Sequence, residues 1–489
     1  MRPYSMVNKC LDPSALLSHL MRIRHPPLFP TEPNASSTSM SSLFDQSGLL
    51  LRAEQLVEAA RRAGADTADA VAVRGISQSV EVREGSVEES ERSEGDNIGL
   101  RVFVGRRQAV VSTNDVSEDG IGTLAERAVA MARVAPEDRF AGLAEAEFLA
   151  RTIPDLDLLD PDLPSVEQLE DVARSVEEAG LAVKGVTKSG GASASAGIGG
   201  MVLVTSHGFR GAYLGSSHNI GMQAIAGDGT TMERDYDFSS ALHLSDLESP
   251  ESIGRSAGER AVKRLNPRKV STRRVPVVFD PRVAGSLVGH LASAANGSAI
   301  ARKTSFLKDK LGEQLFASHI SIIDDPLRVR GLRSHPFDAE GVAGERRAIV
   351  ADGKLTTWIL DCATARELGM KTTGHAQRGV GSTPSPGATN LHLAPGTATP
   401  EALMSDIADG FYVTDLIGMG ANMVTGDYSR GAAGFWIEHG KLTYAVSEVT
   451  IAGHLLDIFR TMTPADNLTF RYGINAPTVR IEGLIVAGV

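Results

Sequence analysis

Cysteine is almost missing from this chain. Two thiols in 489 residues, Cys10 and Cys362, cannot build a disulfide framework, and such sparse use fits a reducing compartment, the cytoplasm. Long apolar runs are missing as well: no stretch approaches the ~20 residues a bilayer requires, which argues against a membrane partner. There is no excess of positive charge. A net charge of −11 and a pI near 5.6 argue against a nucleic-acid partner, whose affinity comes from Lys and Arg neutralising phosphates. The one basic cluster, Lys263, Arg264, Arg268, Lys269, Arg273 and Arg274, flanks a proline and reads as a solvated junction between domains.

Short catalytic motifs are missing too. Neither a Gly-x-Ser-x-Gly elbow nor a Walker A loop occurs. None of the 12 histidines is followed by Glu, and no two lie within five residues of each other. A zincin helix, which needs two imidazoles one turn apart with a Glu between, is therefore absent from the sequence. Metal binding by scattered residues such as His290, His319 and His375 stays open, although a lone His is more often packed or on the surface. Cys362 sits where a strand gives way to a helix, a place that can lower a thiol pKa. Asp361 beside it opposes the thiolate and no His is near in sequence, so a structural role is expected. The run Ser334-His335-Pro336-Phe337-Asp338-Ala339-Glu340-Gly341 gathers His, Asp and Glu in one loop. His454 and Asp457, three apart on an expected helix, read as a surface pair.

What is present is a chain of ordinary globular composition, 42% apolar and 22% charged, long enough for two domains. Residues 1–46 carry Pro26, Pro27, Pro30 and Pro33 and then a run of serines. They are expected to be disordered, or an overlong start, and hold no apolar stretch of signal-peptide length. The N-terminal domain, 47–270, opens with a helix over 50–63 stopped by Gly64. Short antiparallel strands follow at 71–73, 79–83, from Val87, 100–104 and 109–113. The acid-rich Glu81–Glu94 stretch alternates like the wet face of a sheet. Ile121, Leu124, Ala128 and Met131 share a helical face, Ser165 and Gln168 form a capping box for a helix to Gly180, and β pattern runs over 181–245. Within it, Ser189–Gly200 (SGGASASAGIGG) reads as a flexible or small-residue-packed connection rather than a phosphate cradle. Ser249 and Pro250 start the helix that closes this domain.

The C-terminal domain, 275–489, begins with a strand at 275–279 and a helix after Asp280-Pro281. A hairpin over 347–361 turns at Asp352-Gly353, and helices follow near 361–368 and 400–409. Elements alternate without βαβ regularity. The expected class is α+β, with a largely antiparallel sheet flanked by helices in each domain.

The stretch Asp415–His454 is the most distinctive. Glycines at 418, 420, 426, 431, 434 and 440 divide it, and Gly434–Glu438, a turn at His439-Gly440 and Lys441–Val446 form a hairpin signal. Gly426-Asp427-Tyr428-Ser429-Arg430-Gly431 sets an acid and a base three apart, which reads as an ordered loop with a local ion pair. As a block, this stretch resembles the C-terminal signature of the TldD/PmbA family, NP-TGD-S-GA-GFWIENG-I-YPVSE-TIAGN. Asn422, Thr425–Asp427, Ser429, Gly431, Gly434–Glu438, Gly440, Tyr444, Val446–Glu448 and Thr450–Gly453 match, whereas Met423 and His454 stand where the pattern has Pro and Asn. The closer likeness is to the PmbA branch, also called TldE.

In the TldD branch the metal is held by a His-Glu-x-x-x-His helix, with the Glu as general base. The corresponding helix here follows Asp280-Pro281, and Gly285-Ser286 or Ser286-Leu287 stand where His-Glu would fall. The further cysteine ligand of that branch has no counterpart in Asn467–Thr478. The resemblance thus implies a non-catalytic subunit, with no cofactor of its own. It would pair with a TldD-like catalytic subunit carrying Zn or Fe, and would shape the chamber that receives an unfolded peptide. Gly426, Asp427, Tyr428, Ser429, Arg430, Trp436 and Glu448 are the candidate peptide-contacting or structural residues, with strand edges between Gly426 and Glu448 as the expected place of strand addition. The alternatives are a homodimeric metallopeptidase with unconventional ligands and a peptide-binding scaffold without proteolytic role.

Overall fold

The computed structural model describes residues 45–115 and 117–489. The expectation for residues 1–46 therefore falls outside the described residues, except for the last two. The chain opens with α1 (Ser47–Arg62), whose buried Leu49, Ala53, Leu56 and Ala60 recur at helical spacing. Six strands then make one antiparallel sheet: β1 (Thr67–Arg83), β2 (Ser86–Val104), β3 (Arg107–Thr113), β4 (Val186–Thr205), β5 (Arg210–Ala226) and β6 (Glu233–Ala241), in the order β3-β2-β1-β4-β5-β6. Three helices complete this half: α2 (Glu118–Val134), α3 (Val166–Leu181) and α4 (Pro250–Lys263).

The short strands expected at 71–73 and 79–83 are one continuous strand. Gly75 and Ser77–Ser79 look like a break, yet each is paired on both sides, by β2 and by β4. The Ser189–Gly200 run is likewise a strand, not a connection: β4 lies between β1 and β5. From Ala192 to Gly200 every residue is paired on both sides, and in the bulge before it the Gly191 N–H donates to the Ser189 hydroxyl at 3.1 Å. Small side chains suit the tight spacing, since a Cβ on Gly200 would lie 2.6 Å from the Tyr213 carbonyl oxygen.

Alternation along β1 sorts its neighbours. Ala68, Ala70 and Ala72 pack under α1 and α2, and Val80 and Val82 under α3 and α4. Val71, on the opposite face, packs against Phe209 and Phe337. The helices therefore cover one face of the sheet, and the segment around Phe337 covers part of the other. The capping box at Ser165 and Gln168 forms as expected, and Ser249 caps α4 with Pro250 in its first turn.

The second half is built from β7 (Arg273–Phe279), α5 (Pro281–Ala294), α6 (Gly297–Ala301), β8 (Ile322–Asp324), β9 (Arg347–Ala351), β10 (Lys354–Leu355), α7 (Cys362–Leu368), β11 (Ala376–Gln377), β12 (Ser385–Pro386), β13 (Leu391–Leu393), α8 (Pro400–Met404), β14 (Asp409–Ile417), β15 (Asp427–Glu438), β16 (Lys441–His454), α9 (Leu455–Thr461), β17 (Thr463–Pro464), β18 (Ile474–Asn475) and β19 (Val479–Ala487). One sheet runs β16-β15-β14-β7-β19-β17, and β16 also pairs with β19, so five of its strands close into a ring. A second runs β10-β9-β8-β13-β18. Pairing is antiparallel apart from β7–β14 and β13–β18. The α+β class with largely antiparallel sheets is thus the observed one.

Helices α3 and α4 touch backbone to backbone. A Cβ on Gly254 of α4 would lie 2.0 Å from the Val176 carbonyl oxygen of α3. In an open helix, alanine is favoured over glycine by about 1 kcal/mol, but overpacking a closed contact costs about 1–3 kcal/mol. Gly254→Ala is expected to lower the thermal unfolding midpoint followed by circular dichroism. A higher midpoint would mean that the helices part freely.

Candidate functional site

Helix α5 stands where the TldD resemblance locates metal-bearing chemistry. Asp280 caps it by accepting from the Arg282 backbone N–H at 3.1 Å, and Pro281 supplies its first turn. Leu287, Val288 and Leu291 are buried in the core beneath it. Its glycine face meets β18: a Cβ on Gly285 would lie 2.9 Å from the Ile474 carbonyl oxygen, and one on Gly289 3.8 Å from the Ile474 Cδ1. Ser286 turns its hydroxyl onto its own helix, donating to the Val283 carbonyl at 2.6 Å.

The segment pressed against this face is held from within. The Asn475 side chain accepts from the backbone N–H groups of Arg471 and Tyr472 at 3.1 and 2.9 Å and donates to the Tyr472 carbonyl at 2.6 Å. Asn467 and Thr478 clamp its ends. The two places from which the resemblance would draw metal donors thus lie against each other, with His290 the one such donor on α5. Among the described residues, no three His, Cys, Asp or Glu side chains converge to hold a metal ion. His319 is exposed, and His375 is buried beside Asp324 at 3.5 Å. A hydrolytic metal does not fit this helix.

His290, the one imidazole on α5, packs edge-on to Tyr428 with ring centroids 5.8 Å apart. Burial, with the Arg430 cation nearby, pushes its pKa down to about 4, so it is neutral at pH 7. Among the described residues, its Nε2, the Tyr428 hydroxyl and the Arg430 Nε are buried without a hydrogen-bond partner. Burial also raises the Tyr428 phenol above its ordinary range.

The candidate residues of the signature block have different fates. Asp427 and Arg430 belong to β15 rather than to a loop, and no ion pair joins them. Residues three apart on a strand point to opposite faces. Asp427 instead accepts from the Thr425 hydroxyl at 2.6 Å, while Arg430 donates to the Leu416 carbonyl at 3.4 Å. Gly426 holds φ +87°, and a Cβ there would lie 2.8 Å from the His454 ring. Tyr428 and Trp436 are core residues, and the Trp436 indole donates to Asp409 at 3.3 Å. Ser429 is exposed, and Glu448, also exposed, pairs with Lys269 at 3.0 Å. The basic cluster is accordingly more than a solvated junction: Arg264 also reaches Asp235 and Asp415 at 3.4 and 3.2 Å.

Strand addition near Glu448 meets a closed edge. Arg268 donates its backbone N–H to the Ala445 carbonyl at 2.8 Å, and Thr450–Ala452 pair with Ile485–Ala487. His454 does not pair with Asp457. It caps α9, accepting at Nδ1 from the Leu456 N–H at 3.2 Å with Nε2 2.9 Å from the Thr425 carbonyl, and Asp457 pairs with Arg460.

A buried ionic cluster joins the Ser334–Gly341 loop and Cys362 to Asp69, Arg101 and Arg378, a link that went unread in the sequence. Asp69 on β1 takes Arg101 of β2 through Nε at 2.9 Å and Arg378 at 2.7 Å, and Arg101 also lies 3.6 Å from Glu340. Asp361 caps α7 in a capping box with Thr364, Glu340 accepts from the Cys362 N–H at 2.8 Å, and burial beside Glu340 and Asp338 raises the thiol. Asp338 accepts from the N–H groups of Glu340, Val342 and Ala376 at 2.8, 2.9 and 3.0 Å. The signal available was a charge set in an apolar run, as at Asp69 between Ala68 and Ala70.

Three family profiles match the chain, described as PmbA/TldA metallopeptidase domain 1 (residues 68–132), central domain (159–265) and C-terminal domain (272–488). It is 38% identical over 412 residues to "Metalloprotease PmbA" of Escherichia coli O157:H7, covering 84% of this chain and 90% of that one. The "Metalloprotease PmbA homolog" of Haemophilus influenzae is 36% identical over 436 residues, covering 88% and 94%. Among solved structures, one from Bacteroides thetaiotaomicron, described only as a candidate modulator of DNA gyrase, superposes with TM-score 0.84 at 26% identity, covering 91% of this chain and all of that one. TldE from Thermococcus kodakarensis superposes with TM-score 0.80 at 20% identity, covering 89% and 100%, a likeness of fold.

Burial and the neighbouring Glu340 raise the Asp338 carboxyl from 3.8 to about 7. A folded pKa above the unfolded one means that the native state binds more protons between those values, so this group's contribution to stability falls as pH rises from about 4 to 7 and levels off above. Asp338→Asn carries no such titration. The unfolding midpoint of the wild type minus that of Asp338→Asn, measured from pH 4.5 to 8, is expected to decline up to neutrality. A difference independent of pH would show Asp338 ionised throughout.

Proposed function

The chain belongs to the PmbA/TldD metallopeptidase family, and on that footing we propose that it is a non-catalytic, TldE-type subunit of a peptidase complex. A TldD-like partner carrying Zn or Fe performs hydrolysis in the cytoplasm. This chain shapes the chamber and positions unfolded peptide. The reading rests above all on Gly285 of α5 lying against Ile474. Metal-assisted peptide hydrolysis needs several converging donors, an open coordination position and a base beside it. Here the helix carries one buried, neutral imidazole, and its small-residue face is filled by backbone.

The names of the relatives favour a second reading, a homodimeric metallopeptidase with ligands supplied across the interface. One experiment separates the two. The purified chain is incubated with an unstructured peptide, alone and with a metal-bearing TldD-type partner, with and without chelator, and metal content is measured after stringent desalting. The expected result is no cleavage and no retained metal for the chain alone, and chelator-sensitive cleavage for the pair. Chelator-sensitive cleavage by this chain alone, with about one tightly held metal per chain, would overturn the proposal. Co-purification without turnover would favour a binding scaffold.

A further inference from the structure

Strand β2 is 19 residues long, but β3 covers only its Ile98–Val104 part. Among the described residues, no strand pairs with the outer edge of Ser86–Asn97, and Ser86 to Gly95 are all exposed. At about 3.3 Å per residue, this leaves an open ladder of about 40 Å without a proline. The open stretch is held rigidly. Its inner edge is laddered to β1 apart from one bulge at Glu88. The hairpin tip is fastened to α3, where Glu177 accepts from the Glu84 and Gly85 N–H groups at 2.9 and 2.8 Å and Arg174 reaches the Gly85 carbonyl. An extended edge fixed in this way needs no ordering when a strand is added.

Charge decides what can add. Most acids of this ribbon are matched: Arg83 serves Glu81 at 3.5 Å and Glu88 at 3.2 Å, Arg92 serves Glu94 at 3.7 Å, and Arg74 serves Asp96 at 2.6 Å. Glu89 and Glu91, two apart and so on one face, have no ion-pair partner among the described residues, and Glu81 stands opposite Glu89. Like charges across a ladder are unfavourable and opposite charges favourable. The edge is therefore guarded against a second copy of itself but not against a basic strand.

We propose that the outer edge of Ser86–Asn97 takes up an extended, cationic stretch of unfolded polypeptide as an additional strand, with Lys or Arg at alternate positions facing Glu89 and Glu91. The inference needs only this chain and no proteolysis, so it stands or falls apart from the subunit assignment.

The test uses the full chain and two labelled 12-residue probes, one alternating Lys and Thr and one alternating Glu and Thr, in fluorescence anisotropy at low and high salt. Hydrogen exchange of the protein is followed by mass spectrometry. The Lys probe is expected to bind at least about tenfold more tightly than the Glu probe, more weakly in high salt, and to slow exchange within 86–97. The exposed double change Glu89→Lys with Glu91→Lys is expected to reverse the preference. Failure of the Lys probe to bind, equal binding of both probes, or binding without protection of 86–97 each overturns the proposal. So does protection of that edge by self-association without peptide, seen by light scattering.

Discussion

The closeness of α5 to the Ile474 segment is the constraint on which this molecule's chemistry depends. Gly285 admits the Ile474 carbonyl to a distance no larger residue would tolerate, and Asn475 fixes the turn at Arg471–Tyr472 that leads into it. A helix that carried two imidazoles and a carboxylate would need the opposite arrangement, an open face with room for water. Replacing glycine with a ligand would not by itself restore a site, because the opposing segment would have to withdraw as well. His290 follows from the same closure: buried against Tyr428 and near Arg430, it stays uncharged and serves packing.

A second constraint ties the β1–β2 sheet to the rest of the chain. The side chains of Asp69, Arg101, Arg378 and Glu340 are nearly inaccessible, and buried charges are tolerable only when they satisfy one another. Gly99 lets the chain approach closely here, since a Cβ would fall 1.7 Å from the Val380 carbonyl oxygen. The cluster joins β1 and β2 to the loops around 340 and 378, so removing any one member strands an opposite charge in the interior. Cys362 lies inside this arrangement, which explains why its thiol is held protonated rather than activated.

Local signals were read correctly where the physics is local. The Ser165 capping box, the Ser249-Pro250 and Asp280-Pro281 helix starts and the Asp352-Gly353 turn all depend on residues within a few positions of one another. Errors arose where partners are distant. Ser189–Gly200 resembles a linker by composition, and only its pairing with β1 and β5 makes it a strand. Asp427 and Arg430 resemble an ion pair by spacing, but strand alternation separates them. Asp69 and Arg378 meet across 309 residues, and no window of sequence contains both. At α5, composition alone disclosed the lack of donors, whereas the backbone that fills the space could be seen only in three dimensions.

Closure of the C-terminal ring bears on where any extended chain could be received. A sheet that closes on itself offers no free hydrogen-bonding edge along the joined strands. In β16, the outer edge is committed to Arg268 at Ala445 and to β19 at Thr450–Ala452. Gly420 and Gly434 of the signature block serve close strand packing, since a Cβ would lie 1.5 Å from the Ser429 carbonyl oxygen and 1.9 Å from the Tyr412 carbonyl oxygen respectively. The long β1–β2 ribbon has the reverse character, with one edge laddered, the other open, and side chains selected for charge rather than for burial. Rigidity of the ring and availability of the ribbon are two outcomes of one rule: a backbone group is either satisfied within the fold or offered to a partner.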